Sequence, residues 1–148
     1  MRKIISGLVL SSAVMLTVSA NAAEHVIKML DTGEDGNIMV FEPAFVKVNK
    51  GDTIKFVSTD IGHNNISRLI PEGATNWKGE VSHDITVTVD KEGVYLYECD
   101  LHKFLGMVGV IQVGEAKNLP EAKAAAEKLT AGMAMGADRI NEYLSKVK

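Results

Sequence analysis

The chain is poor in the residues that staple, kink or anchor a small protein. It has one cysteine, Cys99, so no disulfide can close within it. It has 3 prolines and 1 tryptophan in 148 residues, and aromatic residues make up only 5%. After residue 22 no apolar run approaches the ~20 residues that a membrane-spanning helix needs. An excess of basic charge is missing too: 16 Lys and Arg face 19 Asp and Glu, a net charge of −3. That balance argues against general nucleic-acid binding, which wants a basic face. There is no internal repeat and no low-complexity linker. What remains is a globular composition, 46% hydrophobic, in a length that suits one domain.

The one long apolar run comes first. Arg2 and Lys3 form a short basic head, Ile4 to Val18 carries no charge, and Ala20-Asn21-Ala22 places small residues where a signal peptidase reads. Residues 1–22 are therefore expected to be a secretory signal peptide, cut between Ala22 and Ala23, which would export the mature chain and leave no segment to cross a membrane. Removal of Arg2 and Lys3 leaves 14 basic and 19 acidic residues, a net charge of −5.

Two unlike parts follow. Residues 23–114 read as a β-sandwich, with strand-like runs at His25–Leu30, Ile38–Phe41, Phe45–Asn49, Thr53–Ser58, Ile85–Asp90, Val94–Glu98 and Met107–Val113. Asp35-Gly36, Lys50-Gly51, Glu72-Gly73 and Glu92-Gly93 punctuate them as turns. Short strands at this spacing, with no helix between them, predict an antiparallel sandwich or barrel. Residues 115–148 change character. Pro120 sits where a first helical turn tolerates it, and Glu121 to Leu129 is rich in strong helix formers. A second helix is expected near Ala137–Val147, with Ile140, Tyr143, Leu144 and Val147 on one stripe and the charged residues on a solvated face.

In an oxidising compartment a lone thiol is a liability unless it is buried or held. Cys99 is the first member of Cys99-Asp-Leu-His102-Lys-Phe-Leu-Gly-Met107, where a thiol, an imidazole and a thioether meet at the end of one strand and the start of the next. A second imidazole, His63, lies in Gly62-His63-Asn64 after the strand Thr53–Ser58. Thiolate and thioether suit Cu(I), and imidazole suits either copper state; a His₂Cys set with a weak axial Met is the blue-copper arrangement. Taken singly, His63 reads as a loop histidine and Met107 as core, like Met29, Met133 and Met135. Taken together, His63, Cys99, His102 and Met107 predict one copper ion cycling between Cu(I) and Cu(II).

Other chemistries fare worse. Zinc sites make little use of methionine, and iron–sulfur clusters normally need several cysteines. A Cys–His nucleophile needs an orienting third group and a substrate pocket, which one short loop does not supply. An oxidase needs a second metal centre, and only His25 and His83 remain to build one. An enzyme is therefore not expected. A copper storage or delivery module is the alternative to an electron carrier, although such sites tend to be exposed and rich in methionine or paired thiols.

At these residues the chain resembles the cupredoxins, and among them the pseudoazurin family. The ligand spacing is shared with plastocyanins. Met39-Val-Phe-Glu-Pro43, Asp60-Ile-Gly-His63-Asn64 and the helical tail from Leu119 onward resemble pseudoazurins in particular. The resemblance implies a mainly β fold, an eight-stranded Greek-key cupredoxin β-sandwich with two C-terminal α-helices. It implies His63 Nδ1, Cys99 Sγ and His102 Nδ1 in a trigonal plane, with Met107 Sδ axial. Asn64 would tie the ligand loops together, and Met39 would pack near the exposed histidine. The function implied is that of a monomeric periplasmic donor of single electrons to redox protein partners, above all copper nitrite reductase, with a basic cytochrome c as the alternative. Docking would use an apolar patch, here Pro43, Leu101, Phe104 and Leu105, with Lys78 and Lys103 at its edge. Residues 23–114 carry 8 basic and 14 acidic residues, so the lysine ring is thin.

Three positions depart from the family. Leu101 stands where proline is usual; it restores an N–H, which is expected to point at the Cys99 sulfur. Asp31 stands where asparagine is expected, and Ile38 reads as an insertion before Met39. Cleavage after Ala22 would also expose Ala23-Glu24-His25, a sequence able to chelate Cu(II) through its amine, amides and imidazole. Strand pairing competes for the same amides and is the favoured fate of His25.

Overall fold

The structure is a computed structural model and describes residues 21–148. All but the last two residues of the expected leader lie outside the described residues. The β-rich runs form eight strands: β1 (Glu24–Thr32), β2 (Ile38–Glu42), β3 (Phe45–Val48), β4 (Thr53–Val57), β5 (Ile66–Leu69), β6 (Ile85–Thr88), β7 (Gly93–Glu98) and β8 (Val108–Val113). Two helices follow, α1 (Leu119–Thr130) and α2 (Arg139–Leu144). The helix expected near Ala137–Val147 is thus shorter at both ends and flanked by turns.

The strands make two four-stranded sheets, ordered β2-β1-β4-β6 and β3-β8-β7-β5. The purely antiparallel sandwich expected from strand spacing needs correcting, because β1 pairs with β4, and β3 with β8, in parallel. The chain changes sheet after β2 and returns after β3, so β4 comes back beside β1 in the same direction. The first switch falls at Glu42-Pro43, a cis peptide. The strand that sequence patterning misses is β5. It has only four residues, Ile-Ser-Arg-Leu, and its pairing with β7 slips between Ser67 and Leu69.

Alternation along the strands explains the core. One face of each sheet points inward and contributes Ile27, Met29, Ile54, Phe56, Tyr95, Tyr97 and Ile111. Tyr97 meets the Phe41 and Phe56 rings edge to face, at centroid distances of 4.8 and 5.0 Å. It faces Gly109 across the β7–β8 ladder, and a Cβ on that glycine would fall 2.2 Å from the Tyr97 ring. The outer face of β7 and β8 is also apolar. Val94, Leu96, Val108 and Val110 are covered by Ala122 and Ala126 of α1 and by Ile140 and Leu144 of α2. Ala122 and Ala126 stand one turn apart on one face, and their small side chains let the helix sit close. Each large apolar side chain so buried contributes about 1.5–3 kcal/mol. The helices are thus a third layer that lets β7 and β8 be buried on both faces.

The tail is fixed at its start and its end. Asn118 Oδ1 accepts the Val94 N–H at 2.6 Å, and its Nδ2 donates to Val94 O at 3.0 Å. The buried Gln112 side chain donates to Lys148 O and accepts the Lys148 N–H. No helix among the described residues is long and apolar enough to cross a membrane.

Candidate metal centre

Cys99 directly follows β7. Its N–H donates to Met107 O at 2.9 Å, so residues 100–106 are closed into a loop between β7 and β8. Within that loop His102 O accepts from Leu105 N–H at 3.0 Å and Met107 N–H at 3.3 Å, around a short 3₁₀ turn, Lys103–Leu105. Gly106 ends the turn in the left-handed region, at φ 71°, where a side chain would be strained. His63 sits in the turn after β4. Its carbonyl accepts the Ser82 N–H at 2.8 Å, and the Ser82 hydroxyl in turn accepts the Gly62 N–H at 2.8 Å.

These two loops bring His63, Cys99 and His102 together, with one ligand-type atom from each lying within 4.8 Å of the others. His63 Nδ1 and His102 Nδ1 stand 3.0 Å apart, and Cys99 Sγ lies 3.6 Å from His102 Nδ1. His63 and Cys99 are wholly buried, whereas His102 is half-buried. Met107 is fully buried in the apolar cluster that contains Cys99.

The protonation pattern suits a metal. His63 Nε2 lies 2.9 Å from Asp31 Oδ1. A carboxylate there accepts a hydrogen bond from Nε2–H, which keeps the proton on that nitrogen and leaves the Nδ1 lone pair for the other side of the ring. Burial, and next to it the charge of His63, hold His102 below the ordinary histidine range, against the opposing pull of Asp31. That shift favours the neutral imidazole, the form that has a lone pair to give. A thiol and two imidazoles whose ring nitrogens face one another across a few ångströms form a donor set that fits copper.

Asn64 joins the two loops. Its Oδ1 accepts the Asp100 N–H at 3.0 Å and lies 3.7 Å from Cys99 Sγ, while its Nδ2 donates to Gly79 O at 3.1 Å. Behind it, Asn65 accepts from Trp77 Nε1 and reaches Met29 Sδ at 3.8 Å. Met39 is half-buried against the same cluster and takes a left-handed backbone, φ 53°. The expectation for Leu101 is not met: among the described residues no hydrogen bond joins its N–H to Cys99 Sγ. The amide that serves this neighbourhood is that of Asp100, through Asn64.

Leu101 and Phe104, in the ligand loop, are exposed and Leu105 is half-buried; Pro43 is exposed too, but it follows β2 and lines a hollow with Arg139 and Tyr143 of α2 rather than the ligand loops. Lys78 is exposed, but Lys103 is paired with Asp100 at 3.3 Å and lies over the Phe104 ring. Arg68 bridges Glu98 and Asp100 at 2.6 and 3.2 Å. At the N-terminal end, Ala23 N donates to Asp52 Oδ1, and His25 Nε2 lies on Asp52 Oδ2, each at 2.9 Å. Glu24 and His25 also pair with Thr53 and Ile54 of β4, so the groups a terminal chelate needs are engaged in the fold.

Sequence reasoning missed two contacts. Asp31 was visible only as an unexpected residue, since nothing in its spacing ties it to His63, 32 positions away. Arg139 belongs by sequence to the solvated helix face, yet its Nη1 reaches the carbonyls of Ile38, Met39, Leu105 and Gly106.

Comparison with known proteins agrees with this geometry. Residues 27–114 match the family described as copper binding proteins, plastocyanin/azurin family. The chain is 44% identical over 120 residues to the pseudoazurin of Paracoccus pantotrophus, covering 78% of this chain and 82% of that one. It is 42% identical over 126 residues to the pseudoazurin of Methylorubrum extorquens, covering 83% and 84%. The crystal structure of native pseudoazurin from Hyphomicrobium denitrificans superposes with a TM-score of 0.77 at 38% identity, covering 84% of this chain and 98% of that one. With a shared fold, a donor set suited to copper and identities of this size over most of both chains, the chain belongs to the plastocyanin/azurin family of copper binding proteins and, within it, to the pseudoazurins.

Proposed function

We propose that the chain is a type 1 copper protein that carries single electrons, whose copper would be held by His63 Nδ1, Cys99 Sγ, His102 Nδ1 and Met107 Sδ. The observation that carries this reading is the convergence of His63, Cys99 and His102 from two loops. Bound copper supplies a centre that accepts and releases one electron between Cu(II) and Cu(I). The residues supply the rest. Cys99 offers a thiolate shut away from water, and Asp31 fixes the tautomer of His63. The hydrogen bonds of Asn64 keep the loops from moving apart. His102, the least buried of the three, gives the centre its way out to a partner.

The exposed side chains of Leu101 and Phe104, which flank His102 in its loop, support docking of a redox protein there. Copper nitrite reductase is the proposed acceptor. The acidic balance of the sandwich keeps a basic cytochrome c as the alternative. Residues 1–22 direct the chain to the periplasm, and residues 23–114 and 115–148 act there as one unit.

Adding Cu(II) to the metal-free chain tests the central claim. An intense blue colour, bleached by a mild reductant and restored by oxidation, is expected. A colourless adduct would favour storage or delivery and overturn the carrier reading. Electron-transfer rates with each candidate partner over a salt series then separate the partners, because charged docking weakens as salt rises.

A further inference from the structure

The loop between β7 and β8 does not stand by itself. The segment joining α1 to α2 lies along it. Ala134 N–H donates to Phe104 O at 2.8 Å, and Met135 N–H approaches the same oxygen at 3.3 Å. Gly106 abuts Gly136 so closely that a Cβ at Gly106 would fall 2.7 Å from Gly136 O. Arg139 closes the arrangement. Its Nη1 donates to Ile38 O at 3.0 Å and Met39 O at 3.2 Å, with longer contacts of 3.4 Å to Leu105 O and Gly106 O. One guanidinium nitrogen thus touches the start of β2 and the end of the loop that holds His102 and Met107.

The helix itself gives no reason for this arginine. A cation in the first turn of a helix opposes the macrodipole. Among the described residues no carboxylate pairs with Arg139 within salt-bridge distance. Its hydrogen bonds go to main-chain carbonyls alone, and such charge-assisted bonds fix backbone rather than side chains.

We infer that the segment between the helices, closed by Arg139, is a brace that sets the conformation of loop 102–107, with Arg139 as the positioning residue. The inference rests on the copper reading only for what the loop holds; the brace itself is a property of the metal-free chain. It also gives the tail a task beyond covering β7 and β8. Residues far along the chain hold in place the segment from which His102 and Met107 project.

Amide hydrogen exchange on the full, metal-free chain tests the brace. Arg139→Gln should speed exchange at Leu105, Gly106, Met107 and Ala134 by at least about tenfold, the scale of one lost charge-assisted bond. Exchange at Ile54 and Phe56, in β4, two strands away from β2, should stay unchanged. Arg139→Lys, with its charge kept and its fork lost, should lie between. In the copper-loaded chain, Arg139→Gln should lose metal to a chelator faster than the parent. Unchanged loop exchange, or a rise shared equally with Ile54 and Phe56, overturns the brace. Should Arg139→Gln fail to fold, Gly136→Ala replaces it. A Cβ there would lie 3.1 Å from both Leu105 O and Arg139 Nε, so it must loosen the same four amides or the inference fails. A chain that never turns blue with Cu(II) defeats the copper reading, and the exchange data still decide the brace.

Discussion

Asp31 is the side chain with the most direct hold on the centre's chemistry. It places a negative oxygen 2.9 Å from the far nitrogen of His63. A nearby negative charge favours the more highly charged, oxidised metal. Asp31→Asn is therefore expected to raise the reduction potential in a redox titration, by an amount that solvent limits because the carboxylate is 61% exposed. An unchanged potential would mean that water screens the charge completely. Tyr97 offers the opposite case, a polar atom with no task. Its hydroxyl is buried without a hydrogen-bond partner, and burial pushes its pKa far above the ordinary tyrosine range. Tyr97→Phe should leave urea stability equal or raise it by about 1 kcal/mol. Gly109→Ala, which drives a methyl into the same ring, should lower it by about 1–3 kcal/mol or more.

At the level of elements, the strands that alternate or run continuously apolar are legible in the sequence, and β5 is not. Four residues with a register slip carry too little pattern. The parallel pairings are equally hidden, since hydrophobic period says which face is buried but not which strand lies alongside. Three of the expected ligands, His63, Cys99 and His102, meet because Cys–x–x–His spacing and a strand-end histidine were enough to locate two loop tips. The contacts of Asp31 and Arg139 escaped because they join residues with no sequence relation. Asp52 is a third long-range link. It fastens the start of β1 to the turn before β4 by accepting from Ala23 N, from His25 and from Asn49 N–H. These bonds, that from Ala23 first, bring its pKa from 3.8 down to about 2. The folded value lies below the unfolded one, so this stability is complete above about pH 4 and is lost as pH falls toward 2. Asp52→Asn should flatten the acid limb of a stability–pH profile across that window. An unaltered limb would show that other carboxylates govern it.

Across the whole molecule the two sheets, the helical layer and the loops give one end a chemical character that the rest lacks. That end combines a buried donor set with the exposed apolar side chains of Leu101 and Phe104. The fold also decides what can reach Cys99, the only thiol in the chain, which is wholly inaccessible. A disulfide between two copies needs sulfurs in contact, and a thiol reagent needs a path to the sulfur. Metal-free chain kept in air should therefore remain monomeric on a non-reducing gel. Its thiol should react with a bulky disulfide reagent only at the pace of unfolding, and fast reaction in native buffer would refute this. The consequence is one of time: a chain that folds before it meets its metal does not spoil while it waits, since the same packing that hides the sulfur from water also hides it from oxidants.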